Sequence, residues 1–156
     1  MRILYTRLDG GLSVVNAARK EDLEKVLGSL TDEAYKAHVR ERSVPVDAID
    51  SIEIDDSYVL PEREFRDAWK QNGNLVEHDF IKAKDIQLQR VRTERDLLLV
   101  KYDGLQARAN DIGDLVEQSR LQVVKAELRS ATDSLKALTP TSIQDIKNAT
   151  ADLKVY

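Results

Sequence analysis

Residues 83–138 read AKDIQLQRVRTERDLLLVKYDGLQARANDIGDLVEQSRLQVVKAELRSATDSLKAL. Leu88, Val91, Leu98, Tyr102, Leu105, Ala109 and Ile112 recur at alternating steps of three and four, once Arg95 is given one place in the row. Such a row marks one face of a helix. It predicts a helix from about Ala83 to Ala109, roughly 40 Å long at 1.5 Å per residue. Asn110 to Asp114 is the natural break, with Asp114 able to accept from the free N–H groups of a new helix. A second row, Leu121, Val124, Leu128, Ala131, Leu135 and Leu138, predicts a helix from about Leu115 to Leu138. Thr139-Pro140-Thr141 ends it. Thr141 or Ser142 then caps a last short helix carrying Ile143, Ile146, Ala149 and Leu153. Two long helices joined by a short loop are antiparallel neighbours, so a helical hairpin is the preferred reading. One unbroken coiled-coil helix competes with it. The three-four count also runs on through Val116 to Val123, and Gly104 and Gly113 would cost it only about 1 kcal/mol each.

Outward from this region the texture changes. Residues 1–80 carry 11 Lys and Arg against 17 Asp and Glu, whereas residues 81–156 carry 13 against 11. Ile3–Thr6 and Leu12–Val15 read as strands around Asp9-Gly10-Gly11, a tight hairpin turn. A helix comes next at about Lys20 to Leu27, with Leu23, Val26 and Leu27 as its inner face and Gly28 just past its end. Thr31 caps another, in which Tyr35, His38 and Val39 share a side. Ile52-Glu53-Ile54-Asp55 alternates like a half-buried strand. Pro61 suits the first position of a helix running to Lys70, with Phe65 and Trp69 at i and i+4. The fold class expected is α+β. A small N-terminal α/β domain (hairpin plus short helices, 1–72) leads through a linker (73–82) to a long C-terminal helical hairpin or coiled coil (83–156).

Composition narrows the function. The chain of 156 residues has a formal net charge of −4, which argues against a general nucleic-acid binder. It has no cysteine, hence no disulfide framework, thiolate metal site or cysteine nucleophile. No apolar stretch reaches the roughly 18 to 20 residues of a membrane span, and MRILYTRLDGG lacks the apolar run of a signal peptide. Neither a P-loop, a strand-embedded GxGxxG, a GxSxG nor an HExxH occurs. His38 reads as a structural histidine. His78, in Glu77-His78-Asp79, has no loop to fold its neighbours around an ion. Asp47, Asp50, Glu53, Asp55 and Asp56 cluster without the glycine and spacing of a calcium loop, so they read first as a solvated acidic edge. Arg90, Arg92 and Arg95 alternate with Asp85, Glu94 and Asp96, as on a charge-laced solvent face.

Three segments carry a resemblance. The DGGLSVV start, EDLEKVLGSLTDEAYKAHVRERSVPVDA (21–48) and LPEREFRDAWK (60–70) resemble small bacteriophage proteins encoded beside tail and tail-fibre genes. The helical half is similar to that of tail assembly chaperone families at Arg92, Leu98, Asp103, Gly113, Val124, Leu128, Arg129, Thr132 and Leu135. That resemblance implies a protein working in the host cytoplasm during assembly, or retained in the virion tail. Its partner would be a tail or tail-fibre protein, and it implies no catalytic residue and no cofactor.

The expected function is therefore non-catalytic binding, as an assembly chaperone or small structural accessory. Candidate partner-binding residues are Phe65 and Trp69 in the first half, and Leu88, Val91, Leu98, Leu105, Leu121, Val124 and Leu128 in the second. The helices could also join copies of the chain, and neither nucleic acid nor membrane is expected as a partner. Two alternatives remain: a coiled-coil oligomerisation or adaptor protein unrelated to phage, and a metal-dependent hydrolase built on the Asp47–Asp56 carboxylates.

Overall fold

The computed structural model describes residues 1–150, and the chain is α+β. It divides into two compact units, Met1–Asp79 and a second that begins at Phe80. Leu153 lies outside the described residues.

The first unit is built on a three-stranded antiparallel sheet, β1 (Arg2–Thr6), β2 (Leu12–Asn16) and β3 (Asp50–Ile54), with β1 in the centre. The β1–β2 turn works as Asp9-Gly10-Gly11 predicts. Gly10 takes φ +75°, and the Asp9 carboxylate accepts the Gly11 N–H at 2.8 Å. Strand geometry sends alternate residues to opposite faces. Ile3 therefore packs with Tyr35 and Val39, while Leu4 packs with Leu12, Ile54, Trp69 and Val76. The first face is covered by α1 (Lys20–Leu27) and α2 (Asp32–Ser43). Thr31 caps α2 by accepting the Ala34 N–H at 3.2 Å, and Gly28 closes α1 at φ +83°. On α1, Leu23 packs inward, but Val26 and Leu27 are exposed. The helix lies at the margin of the sheet core and buries one row narrower than its apolar residues suggest.

The second face is covered differently from expectation. Residues 61–70 do not form one helix. A 3-10 segment spans Arg63–Ala68, Phe65 leaves helical geometry at φ −113°, ψ 34°, and Trp69 starts a strand. β4 (Trp69–Asn72) pairs with β5 (Leu75–His78) as a second hairpin, so residues 73–82 are not a linker. Gly73 occupies the first central position of its two-residue turn with φ +58°, which suits the tight turns that match strand twist. Phe65 and Trp69 are both buried at this spacing because a turn and a strand, not one helix, deliver them to the core. The indole N–H donates to the Glu62 carbonyl at 3.3 Å, and the Tyr58 hydroxyl donates to the Val76 carbonyl at 3.0 Å.

In the second unit α3 runs from Phe80 to Asp111, longer at both ends than the expected Ala83 to Ala109. α4 (Leu115–Ser130) returns antiparallel beside it, so the hairpin and not the continuous helix is formed. Gly113 takes φ +71°, its N–H bonds to the Asn110 carbonyl at 3.1 Å, and the Asp114 carboxylate accepts the Glu117 N–H at 3.0 Å. Gln118 donates to the Ala109 carbonyl at 3.1 Å, satisfying the last turn of α3 from the second helix. Ile112, given a place in the row, is exposed because the helix has already ended.

The expected helix to Leu138 is two elements, α4 and the short α5 (Asp133–Ala137). The chain tightens at Ala131, whose N–H bonds three residues back to Leu128. Leu128 and Leu135 stay fully buried on either side of this step. Lys84 of α3 donates to the carbonyls of Lys136 and Leu138 at 2.8 and 2.7 Å, holding the end of α5. Ser142 and Asp145 form a reciprocal capping box for α6 (Ile143–Asn148), which also packs on α3.

Thr132, at the step, is fully buried, and its hydroxyl finds no hydrogen-bond partner among the described residues. A stranded hydroxyl of this kind costs about 1–3 kcal/mol. Thr132→Val, which keeps the shape, is expected to raise the unfolding free energy by about 1 kcal/mol in urea titration. A loss of stability would show that the hydroxyl holds part of the structure.

Candidate interaction surface

The nine residues proposed from the sequence as partner contacts are mostly interior. Phe65 and Trp69 are buried in the first unit, and Leu88, Val91, Leu121 and Leu128 in the second. Leu98, Leu105 and Val124 are half-buried and pack against the cluster of Tyr102, Ala109, Leu121 and Leu128. These side chains hold the chain together, and a partner could reach the buried ones only by opening it. The two heptad rows face each other within one molecule, which sequence periodicity does not distinguish from rows facing another chain.

Arg95 explains how a cation stands in an apolar row. Its side chain is 22% exposed, and the guanidinium turns out to the Asp96 carboxylate at 2.8 Å. The charge therefore stays wet while its stem packs. One register lower, Lys125 of α4 pairs with Asp103 of α3 at 2.5 Å, fixing the two helices along their flank.

The acidic residues do not converge. Glu53 accepts from Lys36 and Arg40 of α2 at 2.8 and 3.2 Å. Asp55 accepts from the Ser57 N–H and hydroxyl, and Asp56 from the Met1 amino group at 2.8 Å. Asp50 turns to the Ser51 N–H, and Asp47 lies in a hollow with Arg7, Leu8 and Pro45. Among the described residues no group of three or more metal-ligating side chains is gathered. His78 lies 3.1 Å from the Glu62 carbonyl, and His38 is half-buried on α2. A hollow of about 340 Å³ in the first unit brings Arg63 and Arg66 near Tyr5, Ser13 and Asn16, beside Trp69.

The exposed apolar side chains are elsewhere. At the α3–α4 turn, Ile112, Leu115 and Val116 are 78%, 74% and 83% exposed. Local geometry puts them there. Ile112 projects past the end of α3, and Leu115 and Val116 occupy the first turn of α4, where no other helix reaches them. Asp114 and Glu117 border the tip. Glu117 is held by Arg120 at 2.6 Å, and that hydrogen bond keeps its carboxyl below the ordinary carboxylate value. The sequence signal was present, because these three apolar residues surround a glycine break, but the row count absorbed Ile112 into the core. No described helix is long and apolar enough to cross a membrane.

Glu53 supplies a pH test of the first unit. The hydrogen bond from Lys36 holds its carboxyl below the ordinary value, against the opposing effect of burial. The folded state thus favours the charged form, and that stabilisation is full above the unfolded pKa and lost as pH falls through the folded one. Melting temperatures of the native chain and Glu53→Gln should differ near neutrality and converge below about pH 4. A constant difference across that range would show that the ion pairs contribute nothing.

No family model matches the chain, and no curated protein or solved structure matches it either.

Proposed function

We propose that this chain is a non-catalytic bacteriophage tail-associated protein that binds tail or tail-fibre components, as an assembly chaperone or a small structural accessory. The resemblance in LPEREFRDAWK and the two preceding segments supports the phage assignment. The observation that carries the binding role is the apolar tip of the helical hairpin. Three large side chains, Ile112, Leu115 and Val116, are exposed within five residues at the turn of the helical hairpin. Such a cluster of exposed apolar side chains is what a docking surface requires. The turn that presents them is capped from both sides, by Asp114 and by Gln118. Burying a side chain of this size contributes about 1.5–3 kcal/mol. The tip could thus supply much of a moderate affinity without any buried charge.

Co-expression with the tail and tail-fibre proteins of the same gene cluster tests this reading. One of them should copurify with the chain, and the double variant Ile112→Asp, Val116→Asp should weaken that complex at least about tenfold while the circular dichroism is unchanged. Both positions are exposed, so the fold is not at risk. Failure of every tail protein to bind would overturn the assignment. Mass spectrometry of purified particles then separates the roles. A chaperone is absent or scarce, whereas an accessory appears at a copy number that matches the symmetry of the tail.

A further inference from the structure

The first long helix of the second unit carries a second row that its own hairpin does not use. Thr93, Leu97, Val100, Gly104, Ala107 and Asp111 recur at steps of four, three, four, three and four along α3. They lie about 150° around the helix from the Leu98–Tyr102–Leu105–Ala109 row that meets α4, close to its opposite side. All six are exposed, with Leu97 at 70% and Val100 at 72%, and a Cβ placed on Gly104 would touch nothing within 4 Å. Leaving leucine and valine in water along a helix forgoes the gain of burying them, so a covering surface is called for.

The charges beside the row identify that surface. Lys101 and Arg108 line one edge, and Asp96 and Asp103 line the other. In heptad terms Leu97 and Gly104 are a positions, Val100 and Ala107 d positions, the two aspartates g, and the two cations e. In a parallel pair of such helices each g residue meets the e residue five positions on in the other copy. That sets Asp96 against Lys101 and Asp103 against Arg108, once on each side of a two-fold axis. Glu94, the remaining e residue, would meet Gln89, while Arg90 and Asp111, the a residues at the two ends, would each face their own copy in water. An antiparallel pair would instead set e against e and g against g, bringing the aspartates together and leaving Glu94 as the one partner for the cations. Asp103 already receives Lys125, but its side chain is 62% exposed and a carboxylate can accept from two cations. Gly104, between Val100 and Ala107, lets the two backbones approach.

From this arrangement we propose that the outer row of α3 is covered by the same row of a second copy of the chain, in a parallel two-fold dimer. The dimer is closed and isologous, so it does not propagate into filaments. It goes beyond the tail-binding role and does not depend on it, because the tip residues Ile112, Leu115 and Val116 are not in this row. The row spans about 27 Å along the helix.

The test uses the full chain. Sedimentation equilibrium across concentration should give a dimer, and Leu97→Asp or Val100→Asp should weaken it at least about tenfold with unchanged helicity. The chain has no cysteine, so single-cysteine variants report orientation directly. Val100→Cys and Ala107→Cys should each cross-link to themselves under mild oxidation, whereas Gln122→Cys on α4 should not. An antiparallel pair could satisfy at most one of the two positions. Asp96→Lys and Lys101→Glu should each weaken the dimer, and a mixture of the two should restore it, since that heterodimer recovers complementary edges on both sides. A monomer at all concentrations, a dimer untouched by Val100→Asp, or efficient cross-linking at position 122 alone would each overturn the proposal.

Discussion

The second unit depends on the contact of Leu121 and Leu128 with Tyr102 and Ala109. Both leucines are completely excluded from water, and the half-buried Leu98, Leu105 and Val124 close around them. Nothing in the propensities of residues 80–130 by itself requires two helices. Gly104 sits inside α3 without ending it, whereas Gly113 ends it. The difference lies in the residue next to each glycine. After Gly113 comes Asp114, which caps a new helix, and the returning leucines then find an apolar row already formed. After Gly104 comes Leu105, which extends the row. Helix termination here is a joint product of an adopted positive φ, a side-chain cap and the burial that the reversal makes available.

A different constraint organises the first unit. β1 is flanked on both edges and buried on both faces, so Ile3 and Leu4, adjacent in sequence, belong to opposite cores. Each face then needs its own cover, and a chain of 79 residues supplies it from two kinds of element. Helices cover the Ile3 side, and the β4–β5 hairpin with its preceding 3-10 segment covers the Leu4 side. The Lys36 and Arg40 pair on Glu53 marks the rim of the helical side. Glu53 follows the pleat toward α2, where an apolar residue would be only half covered.

The legible parts of the fold were those with one periodicity and a clear stop. The β1–β2 hairpin, α1, α2, β3 and the α3–α4 reversal all have both, in residues such as Gly10, Gly28, Thr31 and Asp114. The missed element is the β4–β5 hairpin. Phe65 and Trp69 at a helical spacing, after a proline, outweighed the Gly73-Asn74 turn signal that flanking strands make strong. A spacing of four places side chains on one side of a helix, but a tight turn followed by a strand can place them in one core as well. The step at Thr132 was invisible for a related reason, because Leu128 and Leu135 keep their heptad spacing through a local tightening of the backbone. That the side chains read as partner contacts pack inside the chain has a deeper reason. Regular apolar spacing reports that a row is buried and is silent about which chain buries it.

That ambiguity shapes how α3 should be understood. A helix packed on one side needs one apolar row, and the α3 row against α4, α5 and α6 satisfies this from Ala83 to Ala109. Leu97 and Val100 lie outside it. A solvent-facing row would tolerate lysine and glutamate there at no cost to the hairpin, and it would gain from their higher solubility. Instead the row carries leucine, valine, glycine and alanine, small or apolar at four successive positions, with opposite charges sorted to opposite edges. Stability of the hairpin requires neither the apolar row nor the sorting. Both are accounted for together by one requirement, that a helix running in the same direction should lie against this face.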